Sequence, residues 1–246
     1  MTRTSQPTWK LLFLIGIYII AAFALMRFSG ALPSGALVVS NTSSSTSASP
    51  PGERNDSGGT ITTLVLSTTQ QDTAWKAYVG NISGMLTLDD ASGATIYNWQ
   101  LSTGTTTGEV YASRSSSVTW SVINCSNQSH IDTEQTALSF ASSDADSINK
   151  TFNGTAHTSF IVNTRNMTGC RYTPTYVNDS AQPQNTSALF QEVLLSDGSN
   201  FVYSTIIESG QPNGYNSANN YHFQMIVAQS KDTITPTPYY FYIELG

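Results

Sequence analysis

The chain has 246 residues, only 11% of them charged, with a net charge of −6 and a Ser and Thr content of about a quarter. Beyond Arg27 the imbalance grows to 16 acids against 7 bases, with no Lys/Arg cluster, which excludes phosphate-backbone recognition and so a nucleic-acid partner. Hydroxyls and amides, not Lys and Glu, keep this surface soluble, a composition that suits an extracellular protein.

The first element is Leu11 to Met26, an apolar run without a charge, bracketed by Lys10 and Arg27. Sixteen helical residues reach about 24 Å, and snorkelling by Lys10 and Arg27 with Trp9 at the interface extends that towards the roughly 30 Å of a hydrocarbon core. We expect residues 1–30 to form a cytoplasmic tip and signal-anchor, a single pass of the cell membrane with the C-terminal domain outside. The alternative is a signal peptide cleaved near Ser29-Gly30-Ala31 or Ser34-Gly35-Ala36, giving a secreted protein. Residues 31–59, rich in Ser, Thr, Pro and Gly, read as a stalk.

Ten Asn-x-Ser/Thr sequons follow the apolar run, beginning at Asn41, Asn55, Asn81, Asn124, Asn127, Asn149, Asn153, Asn166, Asn178 and Asn185. All lie on one side of the expected anchor, as glycosylation of an exported domain requires. Cys125 and Cys170 are the only cysteines, and in an oxidising compartment an isolated pair forms a disulfide.

Residues 60–246 are expected to form one β-rich extracellular domain. Ile61 to Ser67 reads as its first strand. Asp72 to Val79 reads as a short capped helix or, since Trp75, Ala77 and Val79 alternate, as a strand. Met85–Leu88 and Thr95–Leu101 flank Asp89-Asp-Ala-Ser-Gly93 as a hairpin, with Tyr97, Trp99 and Leu101 on one face. Regularly spaced aromatics of this kind are expected in the core. Glu109–Ser113 and Ser117–Val122 continue in β character. Asp132-x-x-Gln135 reads as a capping box opening one helix, and Ser143 or Asp144 as the cap of a second, where Ile148 and Phe152 stack and Asp146 pairs with Lys150. Strands then return: Ser159–Val162, a hairpin turning on Asp197-Gly-Ser-Asn200, Tyr221–Ala228, and Tyr239–Leu245 with Tyr239, Phe241, Ile243 and Leu245 facing the core. The expected class is α+β, a mainly antiparallel sheet with a short helical insert preceded by one transmembrane helix; an all-β sandwich is the alternative.

No nucleophile elbow, zincin or Walker motif occurs, so no catalytic residue is assigned and no enzyme activity is expected. No cofactor is expected, and no metal: Asp89-Asp90 and Asp144-x-Asp146 lack the further ligands of a calcium loop. His130, His157 and His222 share no helix face. Lys76, Lys150 and Lys231 are the lysines that an internal isopeptide bond would have to use.

The stretch Thr73-Ala-Trp-Lys-Ala-Tyr-Val-Gly-Asn-Ile-Ser-Gly-Met-Leu-Thr-Leu88 with Gly108-Glu-Val-Tyr-Ala-Ser113 resembles uncharacterised archaeal cell-surface proteins. The resemblance implies surface display and carries no site residues. Anchor, stalk and sequons together lead us to expect a glycosylated, membrane-anchored protein with a structural or interaction role at the cell envelope. Its partners would be the membrane, through Leu11 to Met26, and itself or other envelope proteins. A sensor-like or lectin-like ligand-binding module is the alternative.

Overall fold

A computed structural model describes residues 32–46, 53–66, 70–100, 106–175, 177–178, 180–181, 184–233 and 235–246. The segment Leu11 to Met26 lies outside these residues, as do Leu101 and part of the stalk. Among the described residues, no helix is long and apolar enough to cross a membrane.

In chain order the strands are β1 (Ser34–Gly35), β2 (Trp75–Gly80), β3 (Met85–Asp89), β4 (Thr95–Gln100), β5 (Gly108–Ser113) and β6 (Asn124–Cys125). Helices α1 (Gln128–Ala137) and α2 (Ile148–Thr151) come next. They are followed by β7 (Phe160–Val162), β8 (Arg165–Met167), β9 (Tyr172–Pro174), β10 (Val177–Asn178), β11 (Ser180–Ala181), β12 (Gln191–Ser196), β13 (Phe201–Ile206), β14 (Phe223–Ala228) and β15 (Tyr240–Leu245). The molecule is therefore mainly antiparallel β with a short helical insert. The principal sheet runs β1-β15-β5-β13-β12, and β6 and β9 share the outer edge of β12.

Side-chain alternation divides this sheet between two apolar layers. Val110, Ala112, Leu194 and Tyr203 point to one layer, with Phe241, Ile243 and Leu245 packed against it as expected. That layer is closed by the β2–β14 ribbon and by Ile131, Leu138, Ile148 and Phe152 of the helical insert. Tyr111, Val193, Leu195, Val202 and Tyr242 point to the other, under Ile123, the β7–β8 hairpin and Cys170. The turn Asp197–Asn200 joins β12 to β13: Asp197 Oδ1 accepts from Ser199 N and Asn200 N at 2.9 and 2.7 Å, and Gly198 takes φ +96°.

Several local expectations are corrected. Ile61–Leu66 pairs with no strand among the described residues, and Ile61 is 98% exposed, so this segment is not the first strand of the sheet. Two residues from the expected stalk are instead in the sheet, Ser34 and Gly35 opposite Ile243 and Tyr242. Of the two readings of Asp72–Val79 the strand holds, over Trp75–Gly80, because pairing with β14 satisfies its backbone while Trp75 docks against Phe140 and Phe152. Ser117–Val122 is not a strand: its end coils into a 3-10 turn that places the Trp120 ring between Tyr111 and Tyr242.

Helix α1 starts four residues before the expected box. Asn127 Oδ1 accepts from His130 N at 2.9 Å, and His130 Nδ1 accepts from Asn127 N, so a histidine does the work usually given to Glu. Helix α2 begins after Ser147 without a side-chain cap, although Ile148 and Phe152 are both fully buried as expected. Asp146 pairs with Lys231, not Lys150, whose ammonium donates to Ser143 O.

Candidate functional site

Cys125 and Cys170 are joined, with Cα atoms 5.0 Å apart, and close the segment that holds both helices. His157 supports this staple. Its Nε2 accepts from Cys170 N at 3.0 Å while Nδ1 faces Thr158 O at 2.7 Å, an arrangement that needs the neutral ring with its proton on Nδ1. Burial lowers the pKa of His157 accordingly. His222 is also buried: Nδ1 accepts from Ile82 N at 2.9 Å, and burial lowers its pKa too. His130 completes the capping box of α1 by accepting from Asn127 N. The structure thus disperses the three histidines into separate structural positions.

The acids divide sharply. Lys231 bridges Asp144 and Asp146 at 2.8 Å each, so these carboxylates hold the insert to the loop before β15. Asp90 is occupied by its turn: Oδ1 accepts from Ser92 N and Ala94 N, and Gly93 takes φ +84°. Among the described residues no group of three or more His, Cys, Asp or Glu is placed to hold a metal ion. Sequence reasoning passed over the buried acids. Glu109 and Glu244 stand opposite each other in register on β5 and β15. The Tyr111 hydroxyl donates to Glu244 at 2.9 Å and lies 3.5 Å from Glu109. Burial first, and the neighbouring Glu244 second, push Glu109 up to about 8. Burial also raises Glu244, Glu208 and the fully buried Glu192, whose Oε2 accepts from Ile226 N at 2.8 Å and ties the ribbon to the sheet.

One open cleft of about 260 Å³ lies between β5, α1 and the β12–β13 turn. At its side Arg114 makes two parallel hydrogen bonds to Glu134, at 2.9 and 2.6 Å. Much of the polar lining is already engaged: Ser113 Oγ donates to Phe201 O, Ser196 Oγ accepts from Gly198 N, and Asn200 donates to Ser117 O and Asp197. Neither Glu109 nor Glu244 lines it.

Among the described residues, the β3–β4 hairpin exposes six large apolar side chains. It forms with the expected turn, and its register sets Leu86 opposite Trp99 and Leu88 opposite Tyr97. These four side chains therefore share one face. The core placement expected for Tyr97 and Trp99 is wrong: they are 58% and 50% exposed, beside Leu88 at 55% and Leu86 at 37%. Their rings meet edge to face with centroids 4.9 Å apart; Met85 adds apolar surface on the reverse, and Ile96 is exposed at the bulge where the register shifts. Neither arm pairs with another strand among the described residues.

Of the sequon asparagines, Asn41, Asn55, Asn81, Asn124, Asn127, Asn153, Asn166 and Asn185 are exposed, and Asn149 is half-buried. Asn178 falls in β10, outside the residues whose side chains are described. At Asn124, Asn127, Asn153 and Asn185 the hydrogen bonds use the side-chain oxygen, not the nitrogen that would carry a glycan. Asn81 differs, donating through Nδ2 to Asn220 O at 3.4 Å.

Comparison with known proteins assigns no family: no family model, no curated protein and no solved structure matches the chain.

Proposed function

We propose that this chain is a membrane-anchored, glycosylated extracellular protein with a structural or interaction role at the cell envelope. The observation that carries the reading is the apolar face of Leu86, Leu88, Tyr97 and Trp99, held open to solvent on a hairpin of its own. A free apolar surface of this kind marks an association site. The exposed sequons and the apolar Leu11 to Met26 run support surface display, and the resemblance to archaeal surface proteins points the same way. The reading assigns no catalytic role: His157 and His222 accept backbone N–H groups, and Tyr111 donates to Glu244.

The test is the mass of the full glycosylated chain in mild detergent, by light scattering over a concentration series, with mass-spectrometric mapping of the ten asparagines. Concentration-dependent assemblies and glycan on several sequons are expected. A strict monomer with unmodified asparagines would overturn the reading. The cleft beside Arg114 favours a second reading, a module for a small polar ligand such as a sugar, which requires a ligand-dependent rise in melting temperature.

A further inference from the structure

A two-stranded hairpin is marginal in water, and a third strand with a shared apolar face is the usual remedy. Among the described residues the β3–β4 hairpin has no third strand, and one segment is free to supply it. Ile61-Thr-Thr-Leu-Val-Leu66 lies in no helix or strand, is uncharged and rich in β-branched residues, and has no strand partner among the described residues. It has six residues, as does β4. In a strand, Leu64 and Leu66 fall on one face and Ile61 and Val65 on the other. The hairpin carries Leu86, Leu88, Tyr97 and Trp99 on one face and Met85 on the other, with exposed Ile96 at the bulge where the register shifts. Leu64 and Leu66 are 53% and 86% exposed among the described residues, so the donor segment is largely open.

Resting on the envelope reading above, we propose that Ile61–Leu66 of one copy adds as a strand to the free edge of the β3–β4 hairpin of a second copy. Leu64 and Leu66 then become cross-strand neighbours of Leu86, Leu88, Tyr97 and Trp99, continuing that apolar face across a third strand. Strand addition also satisfies the edge N–H and C=O groups of both partners, which no purely apolar cover would do. The polar stretch before Ile61 lets the donor extend away from its own domain. Donor and acceptor are different surfaces, so the contact is heterologous. Each copy that accepts a strand still offers its own, and repetition yields an open chain of subunits.

The experiment uses the full chain, co-expressed as two differently tagged forms. One carries Leu64→Cys and the other carries Tyr97→Cys or Leu88→Cys, one for each arm. The two native cysteines are already joined and do not compete. Mild oxidation should link the two forms covalently, whereas Ala145→Cys, exposed on the helical insert, should give no product with Leu64→Cys. In parallel, Leu64→Asp with Leu66→Asp should abolish co-precipitation of the two tags with an unchanged melting curve, since these side chains touch no core. Co-precipitation without the specific cross-link overturns the strand proposal and leaves the envelope reading standing. A doubly substituted chain that closes only on itself also overturns it. Absence of any co-precipitation and of any higher mass sinks both.

Discussion

Strands β13 and β4 are alike on paper: six residues each, antiparallel, with aromatics two apart. In the fold they part company. β13 has neighbours on both edges and layers on both faces, so Tyr203 and Val202 are fully buried. Among the described residues β4 has one neighbour, and Tyr97 and Trp99 are half exposed. Alternation decides which side chains share a face; what lies over that face is decided by topology, and the described residues leave the face of β4 open.

The contrast can be broken at its strongest point first. Deleting Tyr239–Gly246 removes an interior strand between β1 and β5 and should abolish cooperative unfolding, read by circular dichroism; a truncated chain that melts normally would refute the register. Next comes Leu194→Ala, at a fully buried position, which should cost about 2–5 kcal/mol in denaturant titration. Replacing Cys125 and Cys170 with Ser opens a loop with a sequence separation of 45, and the chain-entropy estimate is about 4 kcal/mol. Native proteolysis should then cut between the two positions first.

Acidity sharpens the comparison further. Glu109, Glu192, Glu208 and Glu244 have folded-state pKa values above their unfolded value of 4.5. Their stabilisation is complete below about 4.5 and is lost as pH rises, for Glu109 towards about 8. His157 and His222 are depressed and act oppositely, costing stability as pH falls below the unfolded value of 6.5. The melting temperature should therefore be higher at pH 5 than at pH 8, and Glu109→Gln should shrink the difference. A pH dependence left unchanged by Glu109→Gln would contradict the buried carboxyl pair. The smallest effect is expected on the hairpin: Leu88→Ala, the same chemical change as Leu194→Ala, should stay within about 0.5 kcal/mol in the dissociated chain.

Both turns and the disulfide were legible because each depends on local chemistry: Asp and Gly at fixed offsets, or two cysteines with no other choice. The buried face of β15 was legible because its alternation coincides with true burial. The exposure of Tyr97 and Trp99 was not, since periodicity carries no information about cover. Ile61–Leu66 has the composition of a strand but no partner among the described residues, a fact about neighbours and not about residues. The start of α1 was hidden because His130 replaces the acid that usually marks a capping box. Of the buried acids, Glu109 and Glu244 became visible only when strand register placed two distant residues side by side.

The pairing of Ser34 and Gly35 with Tyr242 and Ile243 also sets how the domain would bear a mechanical load. Tension at Leu32 is met first by buried Pro33, by those two residues and by the bond from Ala36 N to Phe241 O, at the margin of the sheet. The short edge strand thus acts as a release clip, set to yield before the interior strands of the domain.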